Sequence, residues 1–145
     1  MTDSDIIIRL LTAGFLGGLV GLEREHARRA AGLRTHILVC LGSALIMMTS
    51  VYLFDIYNSR TSIDPGRLAA QVVSGIGFLG AGTIIRSGTS IKGLTTAATL
   101  WIVAAVGLAV GCGFWKAAVF TTALVLIGLI FFGRIVHRYF PDVDA

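Results

Sequence analysis

Residues 37–54 read ILVCLGSALIMMTSVYLF, a run without a single charged side chain. A helix needs about 20 mainly apolar residues to cross the hydrocarbon core of a bilayer. Four further runs are also mainly apolar, at residues 6–22, 68–85, 94–111 and 114–132. We therefore predict an all-α fold, a polytopic transmembrane helical bundle with about five spans. A four-span alternative leaves one of the segments half-buried.

The composition of the whole chain supports a membrane protein. Of its 145 residues, 55% are hydrophobic and 14% are charged, whereas about 25% of the residues of an ordinary soluble domain are charged. This balance excludes a soluble globular enzyme, a disordered chain and a secreted disulfide scaffold. The net charge is +4, which we interpret as a topology signal and as contacts to anionic lipid at the inner face. Nucleic acid is not predicted as a partner.

The distribution of Lys and Arg predicts the orientation in a bacterial inner membrane. Residues 1–140 form one transmembrane domain in this interpretation, and residues 141–145 form a short tail. The side that follows spans one, three and five carries Arg24, Arg28, Arg29, Arg34, Arg86, Lys92, Arg134 and Arg138; the other side carries Arg60, Arg67 and Lys116. Because cytoplasmic loops are enriched in Lys and Arg, we expect the N-terminus outside and the C-terminus inside.

Two overlapping G-x-x-x-G patterns mark the first span. One pairs Gly14 with Gly18 and the other pairs Gly17 with Gly21. Small residues four apart let a second helix approach the backbone closely. A packing face inside the monomer is the favoured interpretation, and a homodimer face is the alternative.

The third span contains a G-x-G-x-x-G sequence formed by Gly75, Gly77 and Gly80, with Gly82 shortly after. This dinucleotide fingerprint requires a preceding strand and a following helix, and here it lies within an apolar run. We reject a nucleotide site. Close helix packing is the favoured interpretation, and a broken helix that lines a cavity is the alternative.

Polar residues gather at the head of the third span. Asp64 and Pro65 predict a helix start, because Asp caps helices and Pro is favoured in the first turn. Arg67 can reach the interface from there. Gln71 lies about one turn deeper, where its amide must find a partner. Either it joins a neighbouring helix through hydrogen bonds or it lines a wet cavity.

The predicted inner face carries a charged helix end. Glu25 is spaced to pair with Arg28 or Arg29 along a helix, and the cluster with Glu23 and Arg24 is either a solvated helix end or a docking or ion-sensing patch. Magnesium takes oxygen ligands, usually from carboxylates and water, but Glu23 and Glu25 do not converge. No metal site and no cofactor are predicted.

The connection at residues 86–96, RSGTSIKGLTT, is rich in hydroxyls and holds two cations, Arg86 and Lys92. It could receive a phosphate or an acidic partner. Thr95 and Thr96 could instead begin the fourth span by capping it. No acid lies deep within a span, although such residues are the usual mark of ion pathways, and no catalytic motif is present. We therefore predict that the protein is not an enzyme.

Four strings together resemble one family. They are GLVGLERE at residues 18–25, AGLRTH at residues 31–36, DPGRLAAQVVSGIGFLGAGTI at residues 64–84 and IKGLTTAATLW at residues 91–101. The chain resembles the MgtC/SapB family of bacterial inner-membrane proteins, in the short SapB-like form without a C-terminal soluble domain. The sequence has Thr95 at a position where MgtC-type members carry Asn.

This resemblance implies a role that is not catalytic. MgtC-type members are linked to growth at low magnesium and to survival inside macrophages, and one restrains the proton-driven ATP synthase by contact within the membrane. We therefore predict a protein that modulates a membrane partner, or magnesium and phosphate homeostasis; the alternative is a small oligomeric magnesium channel or carrier. The candidate contact residues are Glu23, Arg24, Glu25, Arg34, Asp64, Arg67, Gln71, Arg86, Lys92, Thr95 and Thr96.

Overall fold

Five helices make up most of the molecule. The computed structural model describes residues 1–57 and 64–139, with side chains as far as residue 133. The helices are α1 (Asp3–His26), α2 (Leu33–Tyr57), α3 (Gly66–Thr83), α4 (Leu94–Gly111) and α5 (Trp115–Tyr139), with a short hairpin of β1 (Ile85–Ser87) and β2 (Ser90–Lys92) before α4. Helices make up 82% of the described residues, which confirms the all-α bundle. The sequence did not predict the hairpin.

Four of the five helices are long and apolar enough to cross a membrane: α1, α2, α4 and the Trp115–Gly133 part of α5. The exception is α3, which carries Arg67 and Gln71 in its first two turns and is rich in glycine. It nevertheless runs across the bundle. Ser50, late in α2, donates a 2.7 Å hydrogen bond to the Pro65 carbonyl, while the other end of α3 meets Gly93 at the start of α4.

Alternation of the helices brings most of the basic residues to one end of the bundle. We call this the basic end; α1 and α3 end there, and α2 and α4 begin there. It carries Arg24, Arg28, Arg29, Arg34, Arg86 and Lys92. Arg60 and the tail at residues 141–145 lie outside the described residues, as do the side chains of Arg134 and Arg138. That the basic end faces the cytoplasm stays a prediction.

Helix α2 lies at the centre of the bundle and packs closely on α1. A Cβ atom at Gly17 would lie 2.6 Å from the Cys40 Cβ, and one at Gly21 would lie 2.8 Å from the Leu33 Cα. Gly14 and Gly18 face α2 side chains at ordinary contact distances. The glycines of the first span therefore form a packing face inside the monomer.

A second glycine pair packs on the other side of α2. A Cβ at Gly107 would overlap the carbonyl oxygen of Cys40, and one at Gly111 would lie 2.6 Å from that of Ala44. This G-x-x-x-G pattern in α4 was not singled out in the sequence. Glycines of α1 and α4 thus enclose the middle of α2, where the main core lies, with Ala13, Leu16, Val20, Cys40, Ala44, Val103, Val106, Val110 and Ala118.

The turn between α4 and α5 is as short as the sequence predicts. Gly113 adopts a φ of 86°, and the Phe114 amide donates to the Ala109 carbonyl at 2.8 Å. The Arg9 guanidinium donates to the Gly111 carbonyl and lies 5.9 Å from the centre of the Trp115 ring. The C-terminus of a helix favours a cation, so Arg9 at the end of α4 stabilises the packing of the first half of α1 on this turn.

Candidate functional site

A cluster of buried polar side chains lies just below the basic end. Its members are Arg24, His36, Thr96 and Thr99, each no more than 4% exposed. They come from α1, α2 and α4, so the cluster joins the three helices that pack most closely. A polar group buried in a bundle must be hydrogen-bonded there, because bare desolvation is costly. This cluster is therefore the most specific polar feature of the described interior.

His36 holds the centre of the cluster. Its Nδ1 lies 2.8 Å from the Gly32 carbonyl and donates to it, because a carbonyl only accepts. Its Nε2 lies 3.2 Å from the Thr99 hydroxyl oxygen, and the same hydroxyl is 2.8 Å from the Thr96 carbonyl. The hydroxyl has one hydrogen for two acceptors. A neutral imidazole that donates through Nδ1 accepts at Nε2, so the hydroxyl hydrogen can serve either acceptor.

The carboxylates of Glu23 and Glu25 diverge, as the sequence predicts. Arg24 is buried and forms an ion pair with Glu23. Glu25 points the other way, and its carboxylate accepts a 2.8 Å hydrogen bond from the Leu33 amide at the start of α2. A Cβ at Gly32 would overlap that carboxylate. Glu25 thus satisfies an amide at the α2 N-terminus, which favours negative charge.

Thr95 and Thr96 lie in the first turn of α4 and do not cap it, which corrects the capping alternative. The N-cap residue is Gly93, with a φ of 90°, and no side chain caps the helix. Thr96 points into the bundle, whereas Thr95 is exposed. Thr95 lines a cavity of about 290 Å³ that also contacts Arg28, Arg29 and Lys92.

The hairpin separates the two cations that the sequence grouped together. Ile85 pairs with Lys92 and Arg86 pairs with Ile91. Because successive residues of a strand point to opposite faces, Arg86 and Lys92 lie on opposite faces of the hairpin. Lys92 contacts the cavity, while Arg86 donates to the Gly88 carbonyl of its own hairpin at 3.2 Å. Arg34, the remaining candidate at the basic end, lies in the first turn of α2.

The head of α3 begins within one residue of the predicted start. Pro65 is the N-cap residue rather than the first helical residue, and the Asp64 carboxylate accepts a 2.8 Å hydrogen bond from the Gly66 amide. Arg67 is exposed at this end. Asp64 therefore has a structural role at the helix start, as its side chain predicts.

Gln71 lines an open groove of about 670 Å³ between α2 and α3, beside Thr49 and Gly75. Its amide has no hydrogen-bond partner among residues 1–57 and 64–133, so the cavity-lining alternative describes it better than a bond to a neighbouring helix. Ser74 is exposed but is not part of the groove wall.

The glycines of α3 differ from those of α1 and α4. Only Gly80 faces another helix, at 3.6 Å from the Ala97 side chain, and nothing in the described chain lies within 4 Å of a Cβ placed at Gly75, Gly77 or Gly82. The close packing expected at these three positions is therefore not made within the described chain, and packing on another helix stays a prediction. The helix is continuous from Gly66 to Thr83, so the broken-helix alternative is wrong.

Sequence reasoning missed His36 and Thr99 as a pair. Neither residue is among the candidate contact residues. The available signal was that each lies within a family string, at residues 31–36 and 91–101, but nothing in those strings says that they meet. No group of three or more His, Cys, Asp or Glu side chains able to hold a metal ion occurs within the described residues.

A bundle of long apolar helices with charge at its two ends defines an integral membrane protein of the helical class. The model of the MgtC family matches residues 10–138. The chain belongs to the MgtC family.

Curated relatives cover nearly all of this chain. It is 42% identical over 137 residues to the "Putative magnesium transporter YhiD" of Escherichia coli K12, covering 93% of this chain and 64% of that protein. It is 46% identical over 133 residues to "Protein MgtC" of Salmonella typhimurium LT2, covering 91% and 54%. "Protein SapB" of Bacillus subtilis 168 is 41% identical over 144 residues, covering 97% and 62%.

The chain spans less than two thirds of the length of each of these relatives. SapB, like MgtC, extends beyond the matched region, so length does not assign the chain to one of them. No solved structure gives a significant match.

Proposed function

We propose that the protein is a non-enzymatic component of the bacterial inner membrane that acts by binding a transmembrane helix of another membrane protein through α3. The observation that carries this proposal is the position of α3. Of the five described helices it is the one that is not long and apolar enough to count as a membrane span, yet among its described residues only Ile76 and Gly80 are buried.

The outward face of α3 has the chemistry of a helix contact. Ala70, Ser74, Gly77 and Ala81 are exposed and recur every three or four residues, so they share one face. Small residues at this spacing let two helices approach closely in a bilayer. Beside this face α3 also exposes large apolar side chains such as Phe78, as α5 exposes Phe120 and Leu124.

Gln71 adds a polar contact at the edge of this face, where the face meets the groove between α2 and α3. Its exposed amide lies one turn before Ser74, and an amide facing lipid gains from a hydrogen bond across a helix interface, by about 0.6 kcal/mol on average. The expected partner helix therefore carries small residues and one polar side chain opposite Gln71.

Ion transport is the alternative, and the name of the YhiD relative supports it. The described spans hold no buried Asp or Glu, and buried acids are the usual mark of an ion pathway. Contact with a partner therefore suits these residues better. The family resemblance suggests a relation to magnesium physiology and to the ATP synthase. Both are parts of the proposal, and identifying the partner will test them.

Purified protein in liposomes separates the two functions. We expect no magnesium uptake above that of protein-free vesicles. Uptake by the wild type that is lost in Gln71→Leu but kept in Thr49→Val, a second polar position on the groove wall, would contradict the proposal. In parallel, the tagged full chain is recovered from membranes of cells grown at low and at high magnesium. We expect one co-purifying membrane protein whose yield falls in Ser74→Leu.

A further inference from the structure

We infer that the basic end carries a binding site for a phosphate group, formed by Arg28, Lys92 and the first turn of α4. The cavity there has a volume of about 290 Å³, roughly ten times the volume of about 30 Å³ that one water molecule occupies in the liquid. Its wall brings together the end of α1, the end of α3, the hairpin and the start of α4.

The charge of the cavity wall has one sign. Arg28, Arg29 and Lys92 line it, and none of its lining residues is Asp or Glu. Arg28 and Lys92 are exposed to the cavity and to solvent, so an anion can reach them. A guanidinium offers paired donors to phosphate oxygens, and an ammonium adds a point charge.

The start of α4 adds neutral donors. Gly93, the N-cap residue, has no side chain to satisfy the first amides of the helix, and its Cβ would overlap the Thr83 carbonyl in any other residue. The Leu94, Thr95 and Thr96 residues of this first turn all contact the cavity. Helix N-terminal amides bind phosphate groups well, and the exposed Thr95 hydroxyl can donate beside them.

The backbone conformation of Arg28 contributes to its position at the cavity. Arg28 has a φ of 53° at the position that closes α1, where the Arg29 amide donates to the Arg24 carbonyl at 3.0 Å. Glycine is the usual residue at this position because the left-handed conformation is unfavourable for a side chain. Strained residues of this kind gather at functional sites. Here the strain places a cation at the cavity.

Two sources offer the same chemistry. One is the phosphate of an anionic lipid at the membrane surface, and the other is free inorganic phosphate. The site lies apart from the outward face of α3, so it does not depend on the partner contact proposed above.

The test uses the full chain in nanodiscs. Retention of phosphatidylglycerol, measured by native mass spectrometry in mixed phosphatidylcholine and phosphatidylglycerol discs, would assign the site to a lipid. Saturable binding of inorganic phosphate in phosphatidylcholine discs, measured by calorimetry, would assign it to the free ion. Absence of both would overturn the inference.

Variants locate the binding and separate it from folding. We expect Arg28→Gly and Lys92→Gln each to weaken binding about fivefold, the factor that corresponds to one cation near a phosphate. Arg28→Gly should also unfold at the same or a higher temperature, because it relieves the left-handed strain. Arg67→Gln, an exposed cation at the opposite end, is the control. Wild-type binding by Arg28→Gly, or equal weakening by Arg67→Gln, would overturn the inference.

Discussion

The Nε2 atom of His36 in α2 lies 3.2 Å from the hydroxyl of Thr99 in α4, inside the bundle, and the two residues are 63 positions apart in the sequence. This contact joins α2 to α4 just below the basic end, and the Gly32 carbonyl fixes the other ring nitrogen. A buried imidazole held on both sides positions its two helices more specifically than apolar contacts do.

Removing the Thr99 hydroxyl should therefore destabilise the bundle. In Thr99→Val the side chain keeps its shape while Nε2 loses its partner, and we expect a loss of about 0.5–1.5 kcal/mol in the free energy of unfolding. Denaturation in detergent, followed by circular dichroism, measures it. Thr49→Val is the control, because the Thr49 hydroxyl is exposed and bonds within its own helix. Equal effects of the two substitutions would argue against a specific contact.

Alanine should distinguish the two kinds of glycine. A Cβ at Gly107 would overlap the Cys40 carbonyl, whereas one at Gly75 meets nothing within 4 Å in the described chain. We expect Gly107→Ala to lower the free energy of unfolding by about 1–3 kcal/mol through overpacking. Gly75→Ala should leave it unchanged or raise it by up to about 1 kcal/mol, since Ala favours a helix. A loss at Gly75 as large as that at Gly107 would show that α3 packs differently.

Glu25 and Gly32 should be energetically coupled. Glu25→Ala removes the hydrogen bond to the Leu33 amide, and we expect a cost of about 0.5–2 kcal/mol, as for other helix caps. Gly32→Ala displaces the same carboxylate, so it should cost less in the Glu25→Ala background than in the wild type. A double-mutant cycle of unfolding free energies measures the coupling. Strict additivity would mean that the two residues act separately.

Thiol labelling tests the predicted orientation. Cys112 is exposed at the end opposite the basic end, and Cys40 is buried. In spheroplasts, a membrane-impermeant maleimide should label Cys112. It should not label Ser90→Cys, placed on the exposed hairpin in a Cys112→Ser background, until the membrane is opened. If intact spheroplasts were labelled at Ser90→Cys but not at Cys112, the protein would have the opposite orientation.

The sequence predicted the helices well because each is a long apolar run, and its length is a local property. It also predicted the glycine face of α1 and the tight turn at Gly113. It could not predict the hairpin, since two strands of three residues carry little pattern. Nor could it predict which helix faces lie inside, and this is why the packing of Gly107 on α2 was missed and why Gly75, Gly77 and Gly82 were not recognised as exposed.

The same limit applies to the candidate site. Polarity at the membrane edge picked out Glu25, Lys92 and Thr95, all of which the structure brings to the basic end. The pairing of His36 with Thr99 depends on how α2 and α4 dock, and no local pattern records it. The strained backbone of Arg28 likewise follows from the tight connection between α1 and α2.

The central claim is that the outward face of α3 binds another membrane protein, and a photo-crosslinking amino acid at Ser74 tests it in living cells. Leu124 of α5 is 68% exposed and faces lipid in this account, so it is the matched control position. We predict a discrete crosslinked product of a second protein from Ser74 and lipid adducts alone from Leu124. Lipid adducts alone from both positions, or a product of two copies of this chain from Ser74, would contradict the claim.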